Sequence, residues 1–111
     1  MLPQKNRIRK KSDFQNILKK GKAFFCPLFV VKVKKNNLEF SRFAFIISKK
    51  TEKKAVKRNR IRRLFREVIK EIMPFISENI DVVFIIKNNK IDDVETIKKQ
   101  VEKALKTKLN D

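Results

Sequence analysis

The residues best suited to chemistry here are cations. Lys57-Arg58-Asn59-Arg60-Ile61-Arg62-Arg63 forms the densest run, with Lys49, Lys50, Lys53 and Lys54 before it and Arg66 and Lys70 after it. Guanidinium groups are planar forks that meet phosphate oxygens in pairs and stay charged at any physiological pH. Between Lys49 and Ile72 only Glu52, Glu67 and Glu71 dilute the charge. A basic face that is merely solvated usually interleaves glutamates at i,i+4, and before Glu67 that interleaving is almost absent. The stretch therefore reads as an anion-binding face.

Other chemistry is poorly supplied. The chain has no histidine, one cysteine and one glycine, which excludes a Cys–His dyad, a histidine metal site and a glycine-rich phosphate loop. Cys26 lies beside an apolar stretch and reads as a small buried hydrophobe. Asp92-Asp93 is the only adjacent acidic pair, and helix capping accounts for it. No catalytic residue, metal site or protein-bound cofactor is expected.

The bulk numbers agree. A chain of 111 residues has room for one domain with a modest core, and 41% hydrophobic residues suit a folded one. A net charge of +18, from 30 basic and 12 acidic residues, opposes compaction and calls for a polyanionic partner. A lone cysteine permits no internal disulfide, and neither a long apolar run nor a signal-peptide pattern is present. A soluble, cytoplasmic protein is the expectation.

Positioning the cations falls to a helix. Ile61, Leu64, Phe65, Val68, Ile69 and Ile72 share one face at 100° per residue, while Asn59, Arg62, Arg63, Arg66 and Lys70 fall on a second arc. Thr51 is the expected N-cap, with Glu52 in the first turn. Before this helix, residues 1–11 form a basic, extended arm carrying Pro3. Ser12 and Gln15 have capping-box spacing for a short helix that Gly21 stops, with Phe14, Ile17 and Leu18 on its apolar side. Phe14 is read either as core or as a ring at the edge of a cleft.

Three strands follow: Ala23 to Cys26, ended by Pro27 and suited to an edge; Phe29 to Lys34, with one lysine-rich face; and Arg42 to Ser48. Their closeness in sequence favours antiparallel pairing. Phe24 and Phe25 read as core. Ile80 to Ile86 is a buried strand, and Asp92 with Glu95 caps a last helix bearing Val94, Ile97, Val101, Ala104 and Leu105. The order α-β-β-β-α-β-α describes one α+β sandwich, residues 1–111, with helices on a four-stranded sheet.

Ser48-Lys49-Lys50 followed by Ala55-Val56-Lys57-Arg58-Asn59-Arg60-Ile61-Arg62-Arg63-Leu64 resembles the signature of the bacterial ribonuclease P protein subunit. Asn6-Arg7-Ile8-Arg9-Lys10-Lys11-Ser12-Asp13-Phe14 resembles that family's N-terminus. The likeness runs in order over roughly residues 5–108. It implies the fold of the second domain of small-subunit ribosomal protein five, with a left-handed β-α-β crossover against the usual right-handed rule.

It also implies a function: a protein subunit that binds a catalytic RNA and the 5′ leader of precursor tRNA while the RNA, holding most of the Mg²⁺, removes the leader. No membrane and no protein partner are implied. By this resemblance Lys53, Lys54, Arg58, Asn59, Arg60, Arg62, Arg63 and Arg66 face the catalytic RNA, Asn59 reaching a 2′-hydroxyl or base edge. Phe14, Leu18, Lys32, Ser48, Lys49 and Lys50 line the leader cleft. Arg7, Arg9, Lys10 and Lys11 add basic contacts. Leu18 departs from the phenylalanine common in the family, and Lys32 stands where relatives can carry an aromatic, so phosphate contact replaces stacking there. The loop Thr51-Glu52-Lys53-Lys54 lacks a glycine that some relatives have.

The chief rival is a ribosomal protein or general RNA chaperone, which composition alone does not separate. Sequence-specific DNA binding lacks a helix-turn-helix spacing. A membrane-surface helix would expose the apolar face that the other elements need for a core.

Overall fold

The computed structural model describes residues 4–76, 79–91 and 93–109. After a 3₁₀ turn at Gln4–Asn6 come α1 (Lys11–Lys20), β1 (Lys22–Phe25), β2 (Phe29–Lys35), β3 (Arg42–Ile47) and α2 (Ala55–Ile72). A second 3₁₀ turn (Met73–Phe75), β4 (Ile80–Ile86) and α3 (Val94–Leu109) complete the chain. The element order is the expected one, and the architecture is α+β.

The strand order β1-β2-β4-β3 corrects the expected pairing. β1 and β2 are antiparallel neighbours, but β4 lies between β2 and β3, antiparallel to the first and parallel to the second. The physical reason is burial. β4 (Ile-Asp-Val-Val-Phe-Ile-Ile) and the apolar half of β2 are the chain's most hydrophobic strands, and the sheet centre, covered on both faces, takes them. The strand β3, α2 and the strand β4 thus form a β-α-β unit.

One sheet face, carrying Phe29, Val31, Val33, Phe43, Ile47, Val82, Phe84 and Ile86, packs on α2 and α3. There α2 contributes Ile61, Phe65, Val68, Ile69 and Ile72, all buried, each worth about 1.5–3 kcal/mol. Phe29, Phe45, Phe65 and Phe84 meet with ring centroids 5.4–5.9 Å apart. The opposite face is covered more thinly, by α1 and the N-terminal arm, around Ile8, Ile17, Ala44 and Val83. Phe24 packs against the larger core as expected, but Phe25 is 75% exposed. Alternation on an edge strand turns it to the side opposite Phe24.

Helix starts differ from the sequence expectation. α1 begins at Lys11, and its N-cap is Lys10 without a side-chain bond, not Ser12. Tertiary contacts direct the chain there instead. Arg7 bridges to Phe43, the Ile8 N–H donates to the Phe43 carbonyl at 3.1 Å, and the Asn6 amide donates to the Ser41 carbonyl at 2.7 Å. The basic arm is thus docked along β3 from residue 4, not extended throughout, and Pro3 lies outside the described residues. Gly21 does end α1: its N–H donates to the Ile17 carbonyl at 2.8 Å, and a Cβ there would lie 2.5 Å from that oxygen.

α2 begins at Ala55, with Lys54 at the N-cap, so Thr51 does not cap it. Thr51 instead closes a turn, its N–H donating to Ser48 Oγ at 3.1 Å. In α3 the capping carboxylate is Asp93. Its Oδ1 accepts the Glu95 N–H and its Oδ2 the Thr96 hydroxyl, both at 2.8 Å. Asp92 lies outside the described residues.

Candidate nucleic-acid interface

The first turns of α2 stand clear of the core. Residues from Ala55 to Arg60 are exposed or half-buried, and Ile61 is the first to be enclosed. A helix so placed presents two flanks. Arg62, Arg66 and Asn59 turn toward the β3 edge, where they line an open cleft of about 370 Å³ with Arg7, Ile8 and Phe14 over Phe43, Ala44 and Phe45. No carboxylate is among the described residues lining it. The Arg62 guanidinium donates to Asn59 Oδ1 at 3.0 Å. Burial, and then the nearness of Arg58 and Arg66, push its pKa below the usual guanidinium value. Crowded cations without a local counter-charge favour an incoming anion.

Phe14 lies between the smaller apolar cluster and the cleft. It packs on Ile8, Ile17, Ala44 and Val83 while its position also walls the cleft. One turn on, Leu18 lies in the same apolar cluster, and Lys32 Nζ donates to the Leu18 carbonyl at 2.6 Å. Lys32 therefore ties the C-terminal end of α1 to the sheet. Ser48 follows β3 directly, and Lys49 and Lys50 are exposed in the turn beyond it.

The remaining cations separate. Arg58 reaches back over the loop before α2, its Nη1 donating to the Glu52 and Lys53 carbonyls at 2.9 Å each. It holds the loop in the absence of a side-chain cap. Lys53 and Lys54 are exposed in that loop, and Arg63 is exposed on α2. Arg60 lies on the other flank from Arg62. Arg9 and Lys10 line a separate hollow of about 590 Å³ at the start of α1, shared with Arg7, Lys34 and Arg42. Lys11 is exposed beside it.

One element escaped the sequence reading. Arg42 grips Asp81 with Nε to Oδ1 at 2.8 Å and Nη2 to Oδ2 at 2.6 Å, and its Nη1 reaches Asp13 Oδ2 at 3.1 Å. Asn36 also donates to Asp81, at 2.8 Å. The carboxylates, Asp81 first, push the Arg42 pKa further up. The grip fastens α1, through Asp13, to β3 and β4. A signal existed: an aspartate inside Ile80-Asp81-Val82-Val83 needs a cation once buried.

Among the described residues no group of acidic, sulfur or imidazole side chains is arranged to hold a metal, and Asp13 and Asp81 already face Arg42. Nor is any described helix long and apolar enough to cross a membrane.

Comparisons with known proteins agree over most of the chain. Residues 2–109 match the family model described as Ribonuclease P. A ribonuclease P protein component of Fusobacterium nucleatum is 42% identical over 101 residues, covering 90% of each chain. Another, from Dehalococcoides mccartyi, is 37% identical over 86 residues, 78% of this chain and 69% of its own. The solved RNase P protein of Staphylococcus aureus superposes with a TM-score of 0.81 at 34% identity, covering 92% of this chain and 94% of its own. That of Thermotoga maritima gives 0.80 at 29% identity, with 91% and 96% covered.

Proposed function

Because the chain belongs to the family of ribonuclease P protein components, we propose that it works beside the ribonuclease P RNA by holding the 5′ leader of precursor tRNA while the RNA cleaves. Family membership sets aside the ribosomal-protein and RNA-chaperone readings. One observation carries the rest: α1, α2, β3 and the arm bring Phe14, Asn59, Arg62, Arg66 and Arg7 around a single open cleft without a described carboxylate. Such a cleft suits a single RNA strand, with phosphates on the guanidinium forks, a ribose or base edge on Asn59 and a base against the ring.

The protein takes no chemical step in this reading. It has no histidine, and no group of three or more acidic or sulfur side chains is placed for a metal among the described residues. In this reading the Mg²⁺ of the assembled enzyme, with the hydrolysis it assists, is held mainly by the RNA. What the chain supplies is charge: its cations offset phosphate repulsion between catalyst and substrate, as Mg²⁺ would otherwise have to do.

Leader release from labelled precursor tRNA, followed against Mg²⁺ concentration with protein alone, bacterial ribonuclease P RNA alone and both, tests this. The mixture is expected to work at low Mg²⁺ where RNA alone does not, and protein alone is expected to be inert. Cleavage by the protein alone, or an unchanged Mg²⁺ requirement in the mixture, would overturn the proposal.

A further inference from the structure

The loop from Ser48 to Lys54 joins β3 to α2, two of the elements that wall the Phe14 cleft, and so lies at one end of it. Four of its seven residues are lysines, and none is glycine or proline. Lysines this close together repel one another, and a segment without proline has its full backbone entropy to lose on ordering. The loop's one anion is Glu52, which is also the sole acidic residue between Glu39 and Glu67. Lys49, Lys50, Lys53 and Lys54 are exposed, whereas Glu52 is only 8% exposed.

The loop is tied together at this residue. The Glu52 N–H donates to the Ser48 carbonyl at 3.1 Å, an oxygen that also accepts the Thr51 N–H at 3.1 Å. The Glu52 carbonyl accepts Arg58 Nη1 at 2.9 Å, and Glu52 Oε2 accepts the Lys54 N–H at 3.3 Å, at the N-cap of α2. One residue thus joins the strand end of the loop to its helix end. An ion pair does not account for the burial. Lys57 Nζ lies 3.9 Å from Glu52 Oε1 on a side chain that is 59% exposed, a setting in which a pair contributes little. Asp81, the other buried carboxylate among the described residues, is instead gripped by Arg42 at 2.6 and 2.8 Å. Burying a carboxylate is unfavourable unless hydrogen bonds offset it. Those of Glu52 run to the loop's own backbone, so what they fix is the loop's shape.

Resting on the leader-binding reading above, we infer that Glu52 is a positioning residue for the cleft: it touches no RNA and holds Lys49 and Lys50 where the leader's phosphates pass. The sign of its effect is then opposite to that of its charge. A carboxylate near an RNA strand repels phosphate, so by electrostatics alone its removal strengthens binding. Removing a residue that shapes the loop does the reverse. The lysines stay charged but spread over many positions, and ordering them on the RNA then subtracts from affinity.

The test uses the full-length protein assembled with a bacterial ribonuclease P RNA. It compares the wild type with E52A, with E52Q and with a charge control, E67A, at an exposed position of α2. Affinities for precursor and mature tRNA are measured along a salt series. E52A should lower the preference for precursor about four-fold at about 0.15 M salt and reduce its salt slope by about 0.7, one single-strand phosphate contact, although no cation has been removed. E52Q keeps an oxygen for the Lys54 N–H and should retain the wild-type preference, and E67A should keep or raise it. Hydrogen exchange on the free wild type gives a reading without mutation: the Lys54 amide should be protected. Four results would overturn the role of Glu52: an undiminished precursor preference in E52A, equal losses for both substrates, a loss in E52Q as large as in E52A, or a wild-type Lys54 amide exchanging as fast as in an unfolded chain. A wild type with no preference for precursor would instead strike at the leader-binding reading itself.

Discussion

Arg42 and Arg62 carry the same side chain in opposite electrostatic settings. Arg42 is fully engaged by Asp81 and Asp13, while Arg62 has an amide oxygen for a partner and two arginines for neighbours. Truncating them should separate stability from binding. Arg42→Met leaves Asp81, only 5% exposed, without its counter-charge, and should cost about 3–5 kcal/mol in urea unfolding. A loss below about 1 kcal/mol would mean that the grip does not fasten α1. Arg62→Gln should change stability by no more than about 0.5 kcal/mol while reducing the salt slope of RNA binding by about one unit. An unaltered slope would take Arg62 out of the interface. Phe14 needs a variant that preserves packing, because its ring is half in the core. Phe14→Leu should keep the melting temperature and still weaken precursor tRNA relative to mature tRNA by about 1–3 kcal/mol. Equal weakening of both substrates would return Phe14 to a purely structural role.

Among the elements, apolar periodicity located α2 and α3, because the residues that repeat every three or four positions are the ones buried: Ile61, Phe65, Val68, Ile69 and Ile72 in one, Ile97, Val101, Ala104 and Leu105 in the other. Helix starts were less legible. Ser12 and Thr51 have capping side chains, yet contacts distant in sequence, such as Ile8 on Phe43, or reaching back, such as Arg58 on Glu52 and Lys53, set where α1 and α2 begin. Among the described residues only α3 has a side-chain cap, and it predicts a pH effect. Hydrogen bonds from the Thr96 hydroxyl first, then from the Glu95 N–H, hold the Asp93 carboxyl below its usual range. A depressed carboxylate contributes stability in full above its unfolded value of about 3.9 and loses it as pH falls through the lower folded value. Asp93→Asn keeps a capping oxygen without the titration. Its stability should therefore fall less than that of the wild type as pH drops from 5 toward 2, as thermal melts across that range would show. Parallel declines of the two proteins would rule out Asp93 as a source of the acid sensitivity.

For the molecule as a whole, the cationic helix was more legible than the strand order. The cationic run can be read along a single helix, but the insertion of β4 between β2 and β3 depends on which strands best tolerate burial on both faces, a comparison across the entire chain. Net charge is the other whole-molecule property. At +18 the folded chain repels itself, and the compact state suffers more than the unfolded one because its cations are closer together. Raising salt from about 0.01 to 0.15 M shortens the screening length from about 30 to 8 Å, which should stabilise the free protein and weaken its hold on RNA at once. A relief of about 1 kcal/mol would lift the melting temperature by about 4–8 °C in a domain of this size. Thermal melts and RNA titrations on one salt series should therefore run in opposite directions. A melting temperature that stayed flat or fell with salt would show that carboxylate partners already balance the cations within the fold, and the charge would then need no polyanion to explain it.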